Sequence, residues 1–290
     1  MPELPEVETV VRTLRPRLCG QTIAAVWTSG LALRMGRGVD GAALRAHCQG
    51  ATVGAVSRRA KYILIDLERR GRAAGTLLVH LGMTGRLRVE GQRDPRAKHT
   101  HVAWTLSGGR ELRFVDPRRF GWVLAAADVR ALPEIAALGP DALAELDAKE
   151  FGQSLAKAAT PIKSFLLDQR RIAGLGNIYV SEALFRARIH PLRLAHDVAP
   201  AASQRLTKSI RQVLAAAIRR EGSSFDSYYR TPEGRSGRYQ ERLLVYGRTG
   251  QPCRRCGTTI QRIVVAQRGT HVCPRCQPTP PAGRCAGGRG

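Results

Sequence analysis

The chain has 290 residues, enough for two domains and an ample core, with an ordinary hydrophobic content of 43%. No apolar run approaches the roughly 20 residues of a membrane helix, and the acidic, proline-bearing start is the opposite of a signal or transit peptide. The expectation is a soluble protein of the bacterial-type cytoplasm or nucleoid, with no membrane partner. The formal net charge of +24 attracts polyanions. An Arg-rich genome contributes to that excess, but residues 235–290 carry eleven Arg and a single acid, Glu241, so the charge is also concentrated. Without a basic amphipathic helix, this pattern favours nucleic acid over an anionic membrane.

The chain opens Met1-Pro2-Glu3-Leu4-Pro5-Glu6. An initiator Met before Pro is normally trimmed, leaving Pro2 as a free secondary amine. An α-amino group has a pKa of roughly 8, so a useful fraction is neutral and nucleophilic at physiological pH. A secondary amine that condenses with an aldehyde-like carbon gives an iminium that is cationic by construction. Glu3 stands beside it as an acid–base partner. Pro5 suits the first turn of a helix, and Val7, Val10, Val11, Leu14 and Leu18 share one face at helical spacing. The plainer reading is a helix start with acids in its first turn.

Residues 20–130 read as short strands at 24–27, 62–67, 76–80, 87–89, 101–106, 111–114 and 122–125, with a helix at 40–48. Many short strands at this spacing predict a sandwich or a barrel. Lys61, in RRAKY, is a solvated strand-end base or a phosphate contact. HLGMTG and DPRRFG are Gly-bounded loops bearing Met83, Arg118 and Phe120. Met83 and Phe120 are either core residues or a wedge for a base stack, with Arg118 replacing lost pairing partners.

The segment 133–149 is a Pro/Gly-punctuated linker separating a first domain, 1–132, from helical periodicity. Helices are expected at 154–158, 161–167, 178–187 and 201–220, within a second domain at 150–236, and 223–236 is a polar, Gly- and Tyr-rich loop. Gly174-Leu175-Gly176-Asn177 opens one helix with bare backbone N–H groups, a place for a phosphate. Lys163 and Asn177 add side chains that can contact it. The module at 237–277 holds Cys253-x2-Cys256 and Cys273-x2-Cys276, sixteen residues apart, which is tetrahedral zinc spacing. Two knuckles on a hairpin make a zinc ribbon with one structural Zn2+ and no open coordination position. Its tip, 267–270, carries Arg268, a solvated turn residue or a phosphate contact. Residues 278–290, with Cys285, have the composition of a disordered tail.

Assembled, MPELPEVETV, RRAKY, HLGMTG, KHTHV, DPRRFG, LGPDAL, PIKSFLLDQ, IAGLGNIYVSEALF, VYGRTGQPC and QRGTHVCPRCQ resemble, in order, the bacterial formamidopyrimidine-DNA glycosylase family. Leu4 and DPRRFG resemble this branch more than its pyrimidine-preferring relative, endonuclease VIII. The resemblance implies an α+β fold: an N-terminal β-sandwich, a helix–two-turn–helix domain around 174–177, and the zinc ribbon. It implies a monomeric base-excision-repair glycosylase and AP lyase on double-stranded DNA containing oxidised bases or abasic sites, with DNA across an interdomain cleft. It implies Pro2 as nucleophile and Glu3 as acid, with Lys61 and Arg268 in phosphate contact and elimination. His99, Arg118, Lys163 and Asn177 are the implied DNA contacts, and Met83, Arg118 and Phe120 fill the space left by a flipped base. Two departures stand out: Ala158-Ala159 where the family is basic, and a base-covering loop at 223–229 of divergent sequence.

Overall fold

The computed structural model describes residues 2–33, 39–224 and 229–280. Contacts divide the chain into two compact units, Met1–Ala137 with Ile218–Gln240, and Leu138–Ala217 with Glu241–Gly290.

The first unit begins with helix α1 (Leu4–Leu18), followed by strand β1 (Ile23–Thr28), helix α2 (Gly41–Cys48) and strands β2 (Thr52–Arg59), β3 (Tyr62–Arg69), β4 (Arg72–His80), β5 (Arg86–Gly91), β6 (Thr100–Leu106), β7 (Arg110–Val115) and β8 (Trp122–Ala126). They form two antiparallel four-stranded sheets, ordered β2-β3-β4-β8 and β1-β6-β7-β5. Period-2 alternation sends Ile63, Ile65 and Leu67 of β3 and Val102, Trp104 and Leu106 of β6 into one shared core, so the sheets make a sandwich. Helix α1 lays Val7, Val10, Val11, Leu14 and Leu18 into that core and packs on β2, β3 and β5, while α2 packs on β1, β4 and β8. The expected strands are all present. Strand β2 is an addition: Gly54, a bulge between Val53 and Ala55, and the terminal Arg58-Arg59 interrupt the alternation that would have announced it.

The segment 133–149 contains the short helix α3 (Pro133–Ala136) and the start of α4 (Ala148–Ala156), and the boundary between the two units, at Ala137 and Leu138, falls within it. Helix α4 starts six residues earlier than the apolar pattern suggests. Asp147 caps it, accepting the N–H groups of Lys149 at 2.8 Å and Glu150 at 2.9 Å.

In the second unit, α4 is followed by α5 (Ile162–Leu167), α6 (Asn177–Ala187) and α7 (Pro200–Ile218), then the hairpin β9 (Gln261–Val265) and β10 (Arg268–Val272). Phe151 and Phe165 meet edge to face, and Tyr179, Leu184, Leu206, Val213 and Leu214 are buried in the same unit. Several contacts fasten the cysteine module to the helices. Phe185 joins Val245, Ile260, Cys253 and Cys273 in one cluster. The buried Glu182 carboxylate accepts the N–H groups of Leu244 (2.9 Å), Val245 (2.9 Å) and Tyr246 (3.0 Å), while burial pushes its carboxyl up from the ordinary range. Gln277, fully buried, donates to Ile189 O at 2.9 Å and accepts the Cys273 N–H at 3.2 Å.

Candidate active site and nucleic-acid interface

Pro2 and Glu3 are both buried at the head of α1, where Glu3 is the extended N-cap residue. The signal that fixes this turn is Glu3-x-x-Glu6, a capping box. Glu6 is 2% exposed, and its Oε2 accepts the Glu3 N–H at 2.8 Å while Oε1 accepts the Ser223 N–H at 2.7 Å. The Pro2–Glu3 turn is thus tied to the root of the 223–229 loop, of which 225–228 lie outside the described residues. Gly222, in the left-handed region at φ +79°, leaves room for the carboxylate. Tyr229 donates to Glu221 O at 3.1 Å, and burial together with the Glu6 charge raises its phenol well above 10.

Lys61 is 7% exposed and sits in the two-residue turn between β2 and β3, after Ala60 at φ +52°. Arg58, three residues earlier, donates to Glu8 of α1 at 2.9 Å and to Ala60 O at 3.0 Å, so the lysine turn and the N-terminal helix are braced together. Burial works to raise the Glu8 pKa, but hydrogen bonds from Arg12 and Arg58 prevail and lower it.

Met83, Arg118 and Phe120 lie in the same unit, and none is a core residue. Met83 is 38% and Phe120 41% exposed, and the Arg118 guanidinium stacks on the Phe120 ring at 4.6 Å. His99 is exposed on a left-handed residue, φ +69°, immediately before β6. Exposed apolar tips on short Gly-bounded loops are suited to insertion, and a stacked Arg offers donors beside them.

The remaining predicted residues belong to the second unit. Lys163 is fully buried, with Nζ against Thr270 Oγ1 and 3.4 Å from Gly269 O. Asn177, the first residue of α6, donates to the same Gly269 carbonyl at 3.0 Å. Both side chains therefore grip the β9–β10 hairpin next to Arg268. The hairpin turn is Ala266-Gln267, both with positive φ, so Arg268 is the first residue of β10, exposed and paired with Val265.

The four cysteine sulfurs lie within 4.8 Å of one another, with Cys253–Cys276 at 4.0 Å, Cys256–Cys273 at 3.4 Å and Cys256–Cys276 at 3.5 Å. A tetrahedral ion with metal–sulfur bonds of about 2.3 Å needs sulfur separations of about 3.8 Å, and this set fits one.

A sandwich headed by a buried Pro-Glu turn, a helical module gripping the hairpin that carries Arg268, and four clustered cysteines able to hold one metal ion together define a zinc-finger nucleic-acid enzyme class. Three family descriptions match the chain in series: formamidopyrimidine-DNA glycosylase N-terminal domain over residues 1–123, its H2TH domain over 138–228, and the zinc finger found in FPG and IleRS over 250–279. The formamidopyrimidine-DNA glycosylase of Symbiobacterium thermophilum is 46% identical over 97% of this chain and 90% of its own. That of Thermus thermophilus is 44% identical over 96% and 98%. Among solved structures, a Lactococcus lactis FPG mutant in complex with Fapy-dG-containing DNA superposes with TM-score 0.86 at 37% identity, covering 96% of this chain and 100% of that one. The Lactococcus lactis protein with abasic-site DNA gives 0.85 at 36% identity over the same coverage. The chain belongs to the formamidopyrimidine-DNA glycosylase family.

Sequence reasoning did not single out Glu6, Glu8, Glu182 or Gln277. For Glu6 a signal existed, the i,i+3 acid pair of a capping box, and for Glu8 the i,i+4 pair with Arg12; the partners of Glu182, and Arg58 for Glu8, are supplied only by the fold.

Proposed function

We propose that the protein is a bifunctional DNA glycosylase and AP lyase of base-excision repair, acting on oxidised purines, 8-oxoguanine and formamidopyrimidines, in duplex DNA. The observation that carries this reading is the Pro2–Glu3 turn, held at a fixed place by Glu6 in a chain of this family. A binding module has no need of a constrained N-terminal proline. The names of the relatives and the damaged DNA in the similar structures support the same substrate class.

With Met1 removed, the Pro2 nitrogen attacks C1′ of the damaged nucleotide, and the glycosidic bond breaks with its electron pair leaving on the base. The departing base takes the N–H proton of the Pro2 nitrogen, which restores its lone pair; Glu3 gives a proton to the ring oxygen as the sugar opens, and that lone pair completes a cationic iminium. That cation acidifies the C2′ proton; its removal expels the 3′-phosphate, and a second elimination expels the 5′-phosphate, leaving a one-nucleotide gap. Lys61 and Arg268 hold the phosphates concerned. His99, Arg118 and Asn177 contact the strand, and Lys163 supports Arg268 through the Gly269 carbonyl. Met83, Arg118 and Phe120 occupy the void of the flipped base, whose unstacking costs a few kcal/mol.

One zinc ion, held by Cys253, Cys256, Cys273 and Cys276, folds the finger and leaves no coordination position for substrate. The functional division follows the motifs: catalysis in 1–132, DNA binding in 150–236 and the finger in 237–277, in a monomeric cytoplasmic enzyme. The test is Pro2→Gly on 8-oxoguanine duplexes. DNA affinity is retained and strand cleavage falls steeply; undiminished cleavage refutes the role given to Pro2.

A further inference from the structure

We propose that Asp116 is a positioning residue that locks the Met83 loop and the Arg118–Phe120 loop into one preformed wedge. This rests on the void-filling role proposed above. Asp116 is completely buried and has no place in the covalent step. Its Oδ1 accepts the Thr84 hydroxyl and, at 3.2 Å, the Arg118 N–H; its Oδ2 accepts the Gly121 N–H at 2.7 Å. One carboxylate therefore spans the residue after Met83 and both flanks of the Arg118–Phe120 segment. Its backbone extends the network. The Asp116 N–H donates to His99 O at 3.0 Å, and His101 Nε2 lies 3.0 Å from Asp116 O.

The two loops also interlock sterically. Gly82 has φ +60°, and a Cβ there would stand 2.3 Å from Gly121 N and 2.4 Å from Phe120 C. The backbone of one loop thus fills the space a side chain would need on the other. Buried charge-assisted hydrogen bonds are stronger than neutral ones and fix geometry as well as energy. Loops this short, bearing exposed tips, would otherwise sample many arrangements and lose entropy on insertion. The Asp116 hub removes that freedom in the free protein, so that Met83, Arg118 and Phe120 reach DNA already arranged.

The test uses the full-length protein with its metal, 13C-methyl methionine labelling, and the variants Asp116→Asn, Thr84→Val and Thr84→Ser. The chain has three methionines, so the Met83 methyl is assignable by Met83→Leu. Asp116→Asn keeps the size but turns one acceptor into a donor, and Thr84→Val removes the hydroxyl. In both, the Met83 methyl signal moves to a random-coil shift while the other methyl signals stay; Thr84→Ser restores the wild-type position. On 8-oxoguanine duplexes kcat/KM falls by about ten- to a hundredfold in Asp116→Asn, the range for one buried charged hydrogen bond. Cleavage at a preformed abasic site, where no stacked base must be displaced, falls less than about threefold. An unmoved Met83 signal in both Asp116→Asn and Thr84→Val overturns the proposal, as does an equal fall on both substrates. A wild-type protein without excision defeats the glycosylase reading alone, because the methyl signal still decides the hub.

Discussion

Replacing Gly222 by alanine puts a methyl group where the Glu6 carboxylate now lies. The added Cβ would stand 2.6 Å from Glu6 Oε1 and 2.9 Å from Glu6 Cγ, on a backbone already at φ +79°. The left-handed conformation alone costs an L-residue about 1–2 kcal/mol. Moving Glu6 strains its bonds to the Glu3 and Ser223 N–H groups, and losing one charged hydrogen bond of this kind costs about 1.5–3 kcal/mol. The expected loss is thus about 3–5 kcal/mol, which for a unit of this size lowers Tm by roughly 2–4 °C per kcal/mol. A double-mutant cycle isolates the cause. With Glu6→Ala as background the clash is gone, and Gly222→Ala should cost only the conformational term of about 1–2 kcal/mol. The assay is urea unfolding followed by tryptophan fluorescence, paired with hydrogen exchange of the Glu3 and Ser223 amides. Equal costs in the two backgrounds would refute the account of Glu6 as the link between the N-terminal turn and the loop root.

Further outcomes follow from the same geometry. Glu8 and Glu111 are both held below 4.5: burial acts to raise each, but Arg12 and Arg58 outweigh it at Glu8, as Arg96 and Arg113 do at Glu111. Their contribution is present above pH 4.5 and lost as pH falls through the lowered values, so acid unfolding of wild type is steeper than that of Glu111→Gln, as pH-dependent melting would show. In Lys163→Met, amide exchange in β9–β10 rises roughly ten- to a hundredfold, the loss of one charged hydrogen bond; unchanged exchange would contradict the grip on Gly269 and Thr270. Removing the metal with a chelator exposes the cysteine module to protease and abolishes DNA binding before the sandwich melts, because metal binding supplies that module's folding energy. A demetallated protein that binds and cleaves normally would contradict the finger assignment.

Much of this was legible in the sequence wherever a local pattern determines the outcome. The 3.6-residue stripe of α1 and the cysteine spacing correspond directly to a buried face and a sulfur cluster. Strand β2 was hidden because Gly54 and a bulge break period 2. The polar hubs were illegible for another reason. Glu6 meets Ser223, Glu182 meets 244–246, and Lys163 meets 269–270, partners separated by 62 to 217 positions that only the fold brings together. The turn of the finger lies at Ala266-Gln267, ahead of the expected tip at 267–270, because those two residues adopt the positive φ that a sequence reader assigns to Gly269. The return of Ile218–Gln240 to the first unit likewise has no local signature, since it depends on Glu6, Tyr229 and the loop root meeting in space.

The central claim is that Pro2 carries the covalent step. Borohydride trapping on an 8-oxoguanine:C duplex, followed by mass spectrometry of the linked peptide, tests it directly. The account predicts one cross-link, through the nitrogen of Pro2 in a chain lacking Met1. A cross-link at a lysine, or tight binding without trapping on this duplex or on any other lesion, would contradict it.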